Sequence, residues 1–112
     1  MADAFKKVVV NLKNMLLVFV SFAGESEARR ICEALVKEKL CACASLYPVR
    51  SAYMWGGKLV RGREWEAVLK CSEQKWARLQ RRIRELHSYE VPQIIAVKAR
   101  ANAEYARWVE GD

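Results

Sequence analysis

The sequence predicts an α+β sandwich, a four-stranded antiparallel sheet covered by two helices in the order βαββαβ. Three observations carry that expectation. Apolar residues recur at strand spacing or as short runs in four places, and at helical spacing in two between them. A Gly56–Gly57 pair separates two long strand-like runs, where a two-residue hairpin turn needs positive φ. Pro92 stands just ahead of the last apolar run, at a strand opening where its missing N–H costs least. This order of elements is the split βαβ of a ferredoxin-like subunit.

Residues 1–14 read as an N-terminal extension and residues 15–112 as one domain. Lys6 and Lys7 ahead of the apolar Met15 to Ala23 are similar to the charged and apolar regions of a signal peptide, with small residues at Ser21 and Ala23. Asn11, Lys13 and Asn14 interrupt that pattern, and nothing later replaces Leu16 to Phe22 as a first, buried strand. After a loop from Ala23 to Ser26, Glu27 to Lys39 sets Ala28, Ile31, Leu35 and Val36 on one helical face. Glu25 and Glu27 stand at its start and Lys37 and Lys39 at its end, the sense that the helix dipole favours. Cys41 to Trp55 and Lys58 to Cys71 are the arms of the hairpin. Ser72 is an N-cap for a second helix, Lys75 to Leu86, in which Trp76, Leu79, Ile83 and Leu86 keep helical spacing. Ile94 to Val97 reads as a buried strand, and Ala103 to Val109 as a short closing helix.

The hairpin is too long for one small subunit. At about 3.3 Å per residue each arm would extend roughly 45 Å, past the span of a core of this chain length. Either Pro48 and Gly62 break the strands, or the hairpin projects and is covered by another subunit. The aromatics Tyr47, Tyr53, Trp55 and Trp65 need cover in the second case, which favours a closed homo-oligomer with buried edges.

Hydrophobic residues make up 53% of the 112, with five glycines and two prolines, the composition of a packed globule. No run reaches membrane-spanning length. Lys and Arg number 20 against 13 Asp and Glu, and a net charge of +7 invites a polyanion as partner. Arg78, Arg81, Arg82 and Arg84, however, share one helix, where a solvated face accounts for them. An RNA-recognition module on this fold would need Lys/Arg-Gly-Phe/Tyr-Gly/Ala-Phe in its third strand. Arg61-Gly62-Arg63-Glu64-Trp65-Glu66-Ala67 does not supply that spacing, so nucleic acid is not the expected partner. Cys32 and Cys71 fall on apolar stripes, and Cys41 and Cys43 would lie about 6.6 Å apart on one strand face with no second pair to complete a tetrahedron. Reduced, structural thiols and a cytoplasmic location follow. There is no nucleophile elbow, phosphate loop or H-E-x-x-H motif, and the single histidine excludes chemistry needing two, so no enzyme activity is expected.

The stretch His87-Ser88-Tyr89-Glu90-Val91-Pro92 packs an imidazole, a phenol and a carboxylate into a short helix-to-strand junction. Such a segment, held at both ends, can aim side chains with little freedom left to lose. An imidazole there serves as metal ligand or proton carrier, or it caps the negative end of its helix. Glu90 and Glu66 are the carboxylates that would complete a metal site with His87. Lys58 and Lys70, near Tyr53 and Trp55, would line an anion pocket between subunits; an aromatic seam with ordinary surface lysines is the plainer alternative.

Taken together these segments resemble the CutA family, the divalent-cation-tolerance proteins. Lys39, Leu40, Ala42, Cys43 and Ala44 match the family's run after the first helix; Tyr53, Trp55, Gly57 and Lys58 its hairpin; Leu69 and Lys70 its third strand. His87, Tyr89, Val91 and Pro92 match its signature before the last strand, and Tyr105 and Trp108 its closing helix. The resemblance implies a ferredoxin-like subunit in a tight trimer, shaped like the nitrogen-regulatory PII signalling proteins, with clefts between subunits. It implies tolerance of copper and other divalent ions, with no obligatory cofactor. On that reading His87, Glu90 and Glu66 hold the metal, and Tyr53, Trp55, Lys70 and Tyr89 line the cleft. Some members place a cysteine and a second histidine, both taken as copper ligands, where this chain has Val20 and Leu86. Ser88 replaces a usual proline and Gln93 a frequent carboxylate, which argues for weak rather than three-ligand binding.

Overall fold

Side chains alternate across a strand, so Leu16, Val18, Val20 and Phe22 share one face of β1 (Leu12–Phe22), and all four are buried. The computed structural model describes residues 11–111. Register sets Cys71, Leu69, Ala67 and Trp65 of β3 (Lys58–Cys71) opposite those four residues. Over this surface close Ala28, Ile31, Cys32 and Leu35 of α1 (Glu25–Lys37) and Leu79 and Ile83 of α2 (Trp76–Leu86), all buried. With β2 (Cys43–Trp55) and β4 (Ile94–Asn102), the sheet runs β2-β3-β1-β4 and is antiparallel throughout. This is the expected ferredoxin-like arrangement, ending in the short helix α3 (Ala103–Glu110).

The other face of the sheet is largely open. Leu17 pairs with Val97 and Phe19 with Ile95 in register, and Ile95 and Val97 are 49% and 45% exposed. The apolar run from Ile94 is therefore an exposed edge strand in the subunit, where burial was expected. Among the described residues only one end of this face is covered: α3 packs on β1 and β4, and Met15, Ala106 and Val109 are buried there, apart from the main core.

Gly56 and Gly57 take φ of 57° and 77°, the pair of positive values that a type I′ turn requires. Pro48 and Gly62 do not break the strands; both lie within the β2–β3 ladder, Pro48 on an edge strand that tolerates a missing donor. Beyond the Phe22–Trp65 pair the two arms pair only with each other among the described residues, so a ribbon projects and the subunit measures 54 × 32 × 21 Å. At its tip Met54, Trp55 and Leu59 are 63%, 76% and 55% exposed.

Several boundaries differ from expectation for local reasons. β1 begins at Leu12, because Leu12, Lys13 and Asn14 pair with Asn102, Ala101 and Arg100, so part of the expected extension belongs to the sheet. Residues 1–10 of that extension, with Lys6 and Lys7, lie outside the described residues. α1 starts and stops two residues early. Its end is a Schellman closure: Lys39 N–H bonds the Val36 carbonyl and Leu40 N–H the Leu35 carbonyl, both at 3.0 Å, with Lys39 at φ 61° where glycine is usual. Cys41 precedes β2 and turns into the core, while Cys43 lies on the open face, so the two thiols do not share a strand face. Ser72 makes no side-chain cap; it leads into a 3₁₀ turn, Glu73–Lys75, through Lys75 N–H to its own carbonyl at 3.2 Å.

Candidate functional site

His87 ends α2 by donating its N–H to the Ile83 carbonyl at 2.9 Å, and its extended backbone (φ −75°, ψ 141°) turns the chain away from the helix. The ring folds back over the end of β1. It stacks on Phe22 with centroids 5.1 Å apart and planes 13° from parallel, and Tyr89 lies against it at 4.8 Å. Nε2 sits 2.7 Å from the Ser21 carbonyl oxygen, and Tyr89 N–H donates to Nδ1 at 3.0 Å. A carbonyl only accepts and an amide N–H only donates, so the network assigns the neutral tautomer with its proton on Nε2. The imidazole thus clamps the junction to β1. Its helix is capped by backbone, and the side chain serves a different element.

The side chain that completes this cluster is Glu27, which sequence reasoning had given to the helix dipole alone. It stands in the first turn of α1, on the i, i+4, i+8 row with Ile31 and Leu35. Its Oε1 is buried without a hydrogen-bond partner and lies 4.0 Å from His87 Nδ1. A carboxylate on the apolar row of a helix is the signal that could have singled it out. Burial pushes the Tyr89 phenol up, and Glu64, Glu27 and Tyr53 add to it, which places the ribbon's Glu64 and Tyr53 within electrostatic reach of the junction.

The other expected site residues are distributed elsewhere. Glu66 is the register partner of Ser21 but faces the open side of the sheet, opposite Phe22 and its stacked imidazole, and accepts a 2.6 Å hydrogen bond from the Tyr47 hydroxyl. Glu90 is exposed, and Trp55 stands at the ribbon tip. Lys70 lies four residues along β3 from Glu66, about 13 Å away, where its Nζ reaches Ser45 Oγ at 3.4 Å. Among the described residues no three His, Cys, Asp or Glu side chains gather as a metal-ligand group, so His87, Glu66 and Glu90 do not form one within a subunit. What the fold brings together is His87, Tyr89 and Glu27, with Tyr53 and Glu64 nearby. Three of the four thiols stay in the core, Cys43 being the exception: burial pushes Cys32 and Cys71 up to about 11 and Cys41 to about 12, and a protonated thiol is a poor ligand.

The Tyr47–Glu66 bond has a measurable signature. The hydrogen bond, and after it burial and the carboxylate's charge, push the Tyr47 phenol up from 10.0 to about 12. A group whose folded pKa is raised contributes stability that is complete below its unfolded value, so this pair supports the fold up to about pH 10 and is lost toward pH 12. Phenolate absorbance should show a late phase near pH 12 that vanishes in Tyr47→Phe; an unchanged titration would remove the bond from the solution structure.

The model of the family described as CutA1 divalent ion tolerance protein matches residues 16–112. The divalent-cation tolerance protein CutA of Pyrococcus horikoshii is 38% identical over 96 residues, covering 85% of this chain and 94% of its own. That of Thermotoga maritima is 36% identical, with 85% and 95% covered. Among solved structures, CutA1 from Pyrococcus horikoshii superposes with a TM-score of 0.81 at 38% identity, covering 85% of this chain and 94% of that one. The PII-like protein CutA from Nostoc does so at 0.79 and 36%, covering 87% and 95%. The family match spans the ribbon, the junction and nearly all of the sheet, and the chain belongs to the CutA1 divalent ion tolerance family.

Proposed function

We propose that this chain works as a cytoplasmic homotrimer of the divalent-cation-tolerance type that binds copper or another divalent ion weakly. The observation that carries the metal reading is the buried Glu27 Oε1, which has no hydrogen-bond partner and lies 4.0 Å from His87 Nδ1. Carboxylate oxygen and imidazole nitrogen are donors for Zn and Cu(II), each bound near 2.0–2.2 Å for zinc. The fit is partial. His87 and Glu27 would hold the ion, Nδ1 giving up its bond from Tyr89 N–H, and water or a neighbouring subunit would supply the remaining donors. Two donors fit weak binding. A bound ion would supply positive charge to the junction, and no catalytic step is assigned.

The open apolar face with Ile95 and Val97, the two sheet edges and the projecting ribbon support assembly into a trimer. The cytoplasmic reading rests on four free cysteines, three of them buried. No helix of the described residues is long and apolar enough to cross a membrane.

Calorimetry with Cu(II) and Zn(II) tests the site. Wild type should give saturable heat, and Glu27→Gln, nearly isosteric, should weaken affinity by about tenfold or more. No heat in wild type, or equal affinity in the variant, would sink the metal reading. Sedimentation equilibrium tests the assembly, which a monomer at micromolar concentration would contradict.

A further inference from the structure

The ribbon carries a charge arrangement that its own packing does not explain. Register sets Arg50 directly across from Arg63, and Arg61, across from Ala52, follows two residues along the same face. Opposed Cβ atoms stand about 5 Å apart and diagonal neighbours about 7–8 Å, so the three guanidinium groups share one patch. Like charges directly opposite weaken a ladder. All three side chains are exposed, and none has an ion-pair partner among the described residues. The paired carboxylates serve other cations: Glu25 bonds Arg29, Glu38 and Glu85 bond Arg82, and Glu110 bonds Lys13.

The same arginines wall two adjoining hollows. One, of about 480 Å³, lies between Pro48, Arg50, Arg63 and Trp65 on the ribbon and the Ala23–Gly24 lead into α1; Glu64 also borders it. The second, of about 410 Å³, lies between Arg50, Ala52, Arg61 and Arg63. Arg50 and Arg63 border both.

We propose that this groove binds a small phosphate-bearing anion of multiple charge, gripped by Arg50, Arg61 and Arg63. Guanidinium forks match phosphate oxygens two at a time, and three forks within one patch suit a ligand carrying more than one phosphoryl group. Such an anion turns the repulsion between Arg50 and Arg63 into attraction. The hollows have the size of small-molecule sites, and the half-buried Trp65 gives an aromatic wall for the uncharged part of a ligand. A nucleic acid strand is disfavoured, because Trp65 and the buried Ala67 continue the arginine face of β3 and end the basic track there. The inference does not depend on metal binding.

Calorimetry with inorganic tripolyphosphate on the full chain, in metal-free buffer at fixed ionic strength, tests it. Wild type should bind saturably, Arg63→Gln and Arg50→Gln should each lose tenfold or more, and Lys98→Gln on β4 should bind like wild type. Without ligand, Arg63→Gln should unfold at a higher urea midpoint than wild type, and tripolyphosphate should raise the midpoint of wild type and Lys98→Gln more than that of Arg63→Gln. The proposal is overturned if wild type shows no saturable heat, if Arg63→Gln binds equally well, or if Lys98→Gln loses as much. It is also overturned if Arg63→Gln sediments as a different oligomer, which would make the arginines subunit contacts. A single-stranded oligonucleotide that binds and resists displacement by tripolyphosphate would equally end it.

Discussion

Phe22→Ala is expected to lower stability by about 3–5 kcal/mol, a large part of the total of a small domain. Phe22 is 1% exposed, closes the end of β1 opposite Trp65, and forms the platform on which His87 stacks. Truncation leaves a hole bounded by a sheet, a helix and an imidazole whose two nitrogens are tied to backbone, none of which can collapse into it freely. Urea unfolding measures the loss, and Phe22→Leu should recover much of it. A cost under about 1.5 kcal/mol would mean that the site relaxes and that the stack is not a rigid support for the junction.

His87→Ala is expected to cost about 2–4 kcal/mol, for a different reason. It leaves the Ser21 carbonyl and the Tyr89 N–H without partners, each worth about 1–3 kcal/mol when desolvated, and it empties the space between Phe22 and Tyr89. Chemical denaturation reads the total. In a double-mutant cycle with Phe22→Ala, the stacked pair should couple by about 0.5–1.5 kcal/mol. A cost below about 1 kcal/mol would show that water replaces both bonds and that the imidazole is free for other work. The size of this effect is why Glu27→Gln is the cleaner probe of metal binding: loss of metal response in His87→Ala would report the collapse of the junction as readily as the loss of a donor.

The topology was legible because its signals are local: two helical stripes, four strand-like runs, and a Gly56–Gly57 turn. What escaped depends on partners distant in the chain. Lys13 and Asn14 read as part of an N-terminal extension because their end of the sheet lies beyond the core, so pairing with Ala101 and Arg100 left no apolar trace. Lys39 carries no glycine to announce the left-handed stop of α1. The run from Ile94 to Val97 is as apolar as a buried strand, and composition does not distinguish cover by the same chain from cover by a second copy. At the candidate site, His87 and Tyr89 were legible as a pair, whereas Ser21 as the imidazole's partner follows only from the register of β1. Glu27 was visible but ambiguous, since one carboxylate satisfies both the helix dipole and the apolar row. Glu66, Glu90 and Lys70 were grouped with His87 by residue type; strand alternation separates Glu66, distance along β3 separates Lys70, and Glu90 is turned out to solvent.

The place of β1 in the sheet governs how the chain reaches this state. Among the described residues it is the first strand along the chain, yet it lies between β3 and β4, and its final partner arrives only when Ile94 comes to rest against Val20. The Gly56–Gly57 ribbon zips over short loops at little entropic cost, while closing β4 onto β1 ties together nearly the whole chain. Until then a nascent polypeptide presents Leu16 to Phe22 with one flank bare, the kind of exposed apolar edge on which off-pathway association starts.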